Sequence, residues 1–281
     1  MKWTRGTKNS DVIDARGGRG ARGRTPVVAG GGVAVAVVVF LVAKFVGVDI
    51  SGLLGSGSSP TTPTSATTST GSGAPAPRAD DEAFEFVSFV LKDIQDTFEG
   101  MYRAQGKTYA RAKLKVFTGE VSTACGVSSS AIGPFYCPGD NHAYIDLSFY
   151  QDLKARFGAP GDFAQAYVLA HEIGHHLQNL MDVGPSRTNA HSVKVELQAD
   201  CFAGIWAKAA QGKGLLEVGD IEEALTAASA IGDDRLQKQA GVEVKPESFT
   251  HGTSAQRVFW FRRGLEVGQF EACDTYSAPS L

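Results

Sequence analysis

Beyond residue 79 this chain is short of positive charge. Nine of its 27 Lys and Arg residues and three of its 30 acids fall in residues 1–79. Residues 80–281 therefore carry 18 bases against 27 acids, a formal charge of −9 with His neutral. Nucleic-acid binding needs clustered positive charge to neutralise phosphates, so the deficit excludes that class. Paired metal-binding thiols are also missing. The four cysteines, Cys125, Cys137, Cys201 and Cys273, include no C-x₂₋₄-C spacing, which argues against a thiolate zinc site. Nothing repeats internally, which excludes a repeat architecture. Histidine is absent before residue 142, so metal or proton chemistry has to be sought in residues 80–281.

The first 79 residues differ in kind from the rest. Seven bases precede a run from Val27 to Ala43 that holds no charge, and the run continues past Lys44 to Val48. About 20 apolar residues span a bilayer as a helix, and the spacing predicts a transmembrane anchor over 27–48. The positive-inside rule then keeps a basic segment, 1–26, in the cytoplasm and exports everything after residue 50. A cleaved signal peptide is the alternative, but 26 residues is long for its basic region and no clear small-x-small site follows. The Gly- and Arg-rich stretch Arg16–Arg24 reads as a topology signal rather than a nucleic-acid arm. Residues 49–79 are mostly Ser, Thr, Gly, Pro and Ala, a composition that cannot bury enough apolar surface to order itself, and they read as a linker. The exported domain is 80–281. Four cysteines suit an oxidising compartment, and of three possible pairings Cys125–Cys137 and Cys201–Cys273 are the expected ones.

Within the domain, Phe84, Val87, Val90, Leu91, Ile94, Phe98 and Met101 recur at helical spacing after the N-caps Asp80 and Asp81. Short strands are expected at Leu114–Phe117 and Ala143–Leu147. Helices follow at 148–157, 162–181, 193–210, 221–240 and from Thr253 or Ser254 to 267. The fold class is α+β, mostly helical with a small sheet.

Residues 171–176 read His-Glu-Ile-Gly-His-His. On a helix, positions i and i+4 share a face with Cβ atoms about 5–6 Å apart, so His171 and His175 can reach one Zn²⁺. Glu172 is set beside the metal, where it can take a proton from a water whose pKa the metal lowers to about 7. Such a match also occurs by chance on a helix with histidines on its wet face, but the apolar lead-in Val168-Leu169-Ala170 speaks for a buried site. A catalytic zinc takes three protein ligands, and twenty-one residues on, Glu196 and Asp200 are again i and i+4 in an apolar helix. Glu196 is read as the third ligand. Asp200 is read as the acceptor that orients a ligand histidine. His176 points about 100° away and reads as packing or as a residue backing the ligands, not as a ligand; His142 and His191 read as surface residues in loops. His251, just ahead of the last helix, is a candidate to steady the oxyanion of peptide hydrolysis, against the plain alternative of a turn before a helix cap.

At these residues the chain resembles the putative neutral zinc metallopeptidase family of bacteria. The resemblance extends to Gly133–Pro138, Tyr144–Leu147, Glu196–Gly204 and His251–Arg257, and covers residues 80–281 with the anchor in kind. It implies a zincin-like fold, a zinc cofactor and a peptide or protein substrate. The expectation is a membrane-anchored peptidase acting outside the cytoplasm, with Ala143–Leu147 pairing an extended substrate. The alternative is a non-catalytic envelope binding module stabilised by zinc and disulfides.

Overall fold

The computed structural model describes residues 1–17, 78, 80–185, 188–278 and 281. The expected anchor, 27–48, lies outside the described residues, as does the linker apart from Arg78. Among the described residues no helix is long and apolar enough to cross a membrane.

A four-stranded sheet and a helical layer share one core. The strands are β1 (Val12–Asp14), β2 (Lys113–Phe117), β3 (Glu120–Thr123), β4 (Gly126–Ser129), β5 (Phe135–Cys137) and β6 (His142–Asp146). The sheet order is β1-β2-β6-β5, with β5 antiparallel to β6 and the other pairs parallel. Strands β3 and β4 form a separate hairpin. The Cys125–Cys137 disulfide ties its turn to β5. Helix α1 (Asp81–Ala104) buries Val87, Val90, Leu91, Ile94 and Phe98, the stripe expected from their spacing. It is the crossover that parallel pairing of β1 with β2 requires.

The helices that follow are α2 (Phe149–Ala155), α3 (Asp162–Leu180), α4 (Asn189–Gly212), α5 (Asp220–Ala230), α6 (Asp233–Gln239) and α7 (Ser254–Val267). The single helix expected over 221–240 is two, α5 and α6. Gly232 sits at the break, where an added Cβ would lie 2.3 Å from Ser254 N, so no side chain fits there. Helix α7 starts at Thr253, whose side chain accepts from Gln256 N in a capping box.

Helix α3 packs against β5, β6, α4 and α5, and its residues are buried on nearly every side. Two close crossings set the helical layer. A Cβ at Gly174 would stand 2.9 Å from the backbone of Ala199, so α3 and α4 touch nearly backbone to backbone. Gly204 and Gly264 do the same for α4 and α7: a Cβ on either would fall within about 2 Å of a carbonyl oxygen opposite. The Cys201–Cys273 disulfide fastens α4 to the C-terminal tail. Both cysteine pairs are the expected ones.

Two expectations are corrected. Strand β6, read as a free edge for substrate, is hydrogen-bonded on both sides, to β2 and to β5, and has no edge to offer. Residues 1–26, read as a segment apart from the domain, are in fact built into it as far as they are described. Val12–Asp14 completes the sheet edge, Met1 is buried, and Trp3 packs edge-on to Phe86. The physical reason is charge compensation beside a β-branched pair. Asp11, 7% exposed, accepts from Arg111 Nε at 2.7 Å, Lys113 Nζ at 2.7 Å and Gln95 Nε2 at 3.3 Å. Arg111 also pairs with Asp96 and Glu99, so Asp11 joins Lys113 to an ion-pair network already anchored on helix α1.

Burial alone would raise the Asp11 carboxyl, but Lys113 and Arg111 outweigh it and hold it below its ordinary 3.8. A depressed folded-state value contributes stability that is present above the unfolded value and lost as pH falls through the folded one. Asp11→Asn is therefore expected to lower unfolding stability by about 1–3 kcal/mol at pH 7. Urea titrations should show that gap closing as pH falls below about 4.

Candidate metal centre

The crossing of α3 and α4 brings the sequence-predicted ligands together. One ligand atom each from His171, His175 and Glu196 lie within 4.8 Å of one another. His171 Nε2 is 3.1 Å from Glu196 Oε2, and His175 Nε2 is 3.6 Å from Glu196 Oε1. Donors held at 2.0–2.2 Å from a common centre are separated by about 3–4 Å, so this set can converge on one zinc ion. Two imidazoles and a carboxylate are also a donor set of catalytic zinc sites. A second carboxylate group, Asp162, Asp220 and Glu223, offers no nitrogen or sulfur donor, and Asp162 and Asp220 face the Met1 amino group at 2.5 and 3.3 Å.

Behind His171 the site is closed by buried charge. Asp200 Oδ1 accepts from His171 Nδ1 at 2.8 Å and from Tyr167 Oη at 2.5 Å. Arg257 reaches the same carboxylate twice: Nη2 donates to Oδ1 at 2.9 Å, and Nε pairs with Oδ2 at 2.9 Å. Asp200 and Arg257 are 0% and 1% exposed, so each is the other's main compensation. Asp200 thus contacts His171, one of the two candidate ligand histidines. The other two partners of Asp200, Tyr167 and Arg257, are not assigned to the site from sequence alone. Tyr167 lies one helical turn before His171, on the same face, which is the signal that could have found it; Arg257 gives no such sign.

Electrostatics follow from this burial. Desolvation would lower His171, but Asp200 and Glu196 overcome it and raise the imidazole to about 10. Desolvation would raise Glu196, and His175 and His171 instead hold it well below its ordinary range. The pocket thus favours positive charge between these groups, which a bound dication would supply. Glu172 differs: burial pushes its carboxyl up, with His175 and His171 only partly offsetting. A carboxylate with raised proton affinity is what a general base requires.

His251 lies on the loop before α7. Asp233, the first residue of α6, accepts the backbone N–H groups of Thr250, His251 and Gly252 on Oδ2 at 2.7, 2.6 and 3.1 Å. Its Oδ1 lies 3.2 Å from His251 Nδ1. Burial would lower the imidazole, but Asp233 and the charge of Glu196 raise it. One carboxylate therefore shapes the loop and favours the cationic ring.

The remaining histidines divide. His176 is fully buried and away from the ligand group; its Nε2 donates to Ala110 O at 2.6 Å and its Nδ1 accepts from Tyr136 Oη at 2.9 Å. This agrees with a packing role. His142 begins β6 and His191 lies in the first turn of α4, so neither is in a loop as expected. His175 has a partner that the sequence reading did not name: Nδ1 is 2.9 Å from Gln178 Oε1.

Comparison with known proteins assigns the chain to a family. The model of the family described as "Putative neutral zinc metallopeptidase" matches residues 1–276. The chain is 45% identical over 296 aligned residues to a protein of Escherichia coli K12 described as "Uncharacterized protein YpfJ", covering 98% of this chain and 99% of that one. It is 41% identical over 217 residues to "Uncharacterized protein Rv2575" of Mycobacterium tuberculosis, covering 71% and 74%. No solved structure matches. The chain belongs to the putative neutral zinc metallopeptidase family.

Proposed function

We propose that this protein is a zinc-dependent peptidase with a zincin-like site, in which His171, His175 and Glu196 hold the metal and Glu172 is the general base. The observation that carries the reading is the convergence of two imidazoles and one carboxylate from α3 and α4 beside a buried acid of raised proton affinity. When bound, a zinc ion supplies Lewis acidity, polarising a peptide carbonyl and acidifying water.

The chain's own residues do the rest. Glu172 takes the proton from the attacking water and returns it to the leaving amine. His251, held by Asp233 with its ring biased toward the cation, would stabilise the oxyanion. Asp200 keeps the proton of His171 on Nδ1 and its Nε2 turned to the metal. An extended peptide would pair with β5, the sheet edge whose Tyr136 contacts His176 on the metal-bearing helix.

Two substitutions separate binding from chemistry. Glu172→Gln is expected to retain zinc and lose at least about 10²-fold in peptide cleavage, the scale of general-base catalysis. Glu196→Ala is expected to lose both. Metal analysis beside a peptidase assay reads both, and a Glu196→Ala protein with full zinc and activity would remove Glu196 from the ligand set.

Membrane attachment through 27–48 and action in an oxidising compartment belong to the same proposal, supported by two disulfides. The fold adds a condition that the expected cytoplasmic N-terminus does not meet. Residues 1–17 can pack against the domain only on the side of the membrane where the domain is. Lys8 and Lys107 are both exposed. Single cysteines at these positions in the full chain should label alike with a membrane-impermeant maleimide on intact cells. Labelling at 107 alone would mean that β1 is withdrawn from the sheet in the cell.

A further inference from the structure

The two ligand histidines are backed differently. His171 meets a carboxylate, whereas His175 meets a neutral amide, and that amide begins a chain of buried hydrogen bonds whose direction is fixed from its far end. The chain ends on the backbone carbonyl of Cys273, which can only accept. Gln198 Nε2 donates to it at 3.0 Å, so Gln198 turns its Oε1 toward Gln178. Gln178 Nε2 donates to that oxygen at 3.1 Å and to the carbonyl of Val195 at 2.6 Å. Both N–H bonds of the Gln178 amide are thereby used, and its Oε1 faces His175 Nδ1 at 2.9 Å. An amide oxygen cannot donate, so Nδ1 must carry the hydrogen. The lone pair of the neutral ring is then on Nε2, the atom facing Glu196.

We propose that Gln178, supported by Gln198, is the positioning residue for His175: this relay fixes the ring's orientation and the tautomer that ligates metal. The proposal rests on the zinc reading above. Gln178 and Gln198 are only 4% and 7% exposed, and buried amides are costly unless bonded. Here every donor and acceptor named is used, and the direction of the chain serves a ligand atom. Val195 adjoins Glu196, so the same amide also ties the second ligand's helix to the residue beside the third. Gln178 is three residues after His175 and seven after His171, on the face that carries both.

The test is zinc affinity of the full chain, measured by competition with a chromophoric chelator, together with the visible spectrum of the cobalt-substituted protein. Gln178→Leu removes the acceptor and is expected to weaken zinc by about 10–100-fold, the usual cost of losing such a partner, with displaced cobalt bands. Gln198→Leu, which does not touch the ring, should weaken zinc by less than Gln178→Leu does. A merely structural role would lower thermal stability in both and leave the affinity alone. A folded Gln178→Leu protein with the parent's zinc constant and cobalt spectrum would overturn the proposal. If Gln178→Leu does not fold, Gln198→Leu decides: an unchanged zinc constant overturns the relay. A parent chain that binds zinc no better than Glu196→Ala fails earlier, and overturns the zinc reading together with the relay.

Discussion

The site depends on how closely α3 and α4 can approach. At their crossing, position 174 carries no side chain and position 199 carries a methyl group, with an added Cβ at 174 only 2.9 Å from the Ala199 backbone. At that separation an i, i+4 pair on one helix meets an i, i+4 pair on the other: His171 and His175 face Glu196 and Asp200. A larger residue at 174 would have to push the helices apart, since even its Cβ would be closer to the Ala199 backbone than van der Waals contact allows. The second crossing works in register with the first. Gly204 lies one turn beyond Asp200 and Gly264 two turns beyond Arg257, so the close approach that the two glycines allow keeps the Arg257 guanidinium within reach of the Asp200 carboxylate.

That assembly is electrostatically expensive. Asp200, Arg257, His171 and Glu172 are all at most 7% exposed, and taking ions out of water costs several kcal/mol each even after relaxation. Much of the cost is offset locally, since Asp200 accepts from Arg257, Tyr167 and His171 together. The offset is uneven, and the unevenness is chemically useful. Asp200 is held ionised by Arg257 and His171 despite its burial, whereas Glu172 has only the partial help of the two histidines and is driven up. Two carboxylates within one buried helix pair are thus driven apart in proton affinity.

Much of this was legible in the sequence, for reasons that can be given residue by residue. The pairs 171/175 and 196/200 are helical spacings in apolar surroundings, and local spacing is what a sequence displays directly. The cysteine pairing followed from the short Cys125–Cys137 loop and from placing Cys201 on a helix near the tail. What escaped depends on contacts distant in sequence. Arg257 is matched to Asp200 across 57 residues, and Asp233 to the 250–252 turn across about 18; neither pair has a local signature. Strands β3, β4 and β5 are three or four residues long, too short to show alternation. The split of 221–240 turns on Gly232, whose missing side chain matters only because Ser254 approaches it.

Strand β1 was hidden for a different reason. Val12–Asp14 sits in a basic stretch just before a long apolar run, and charge asymmetry around such a run is ordinarily a topology signal. The same residues also satisfy a sheet edge, and Asp11 answers Arg111 and Lys113. Residues 15–80 are thus an insertion within a β1–α1–β2 crossover. Strand β1 can dock on β2 across this separation in sequence, provided residues 14 and 81 lie on the same side of any membrane. A single crossing by 27–48 would break that proviso and leave Asp11 and its two cations in separate compartments. The N-terminal strand, more than the apolar run, is therefore the stricter constraint on where this domain can fold.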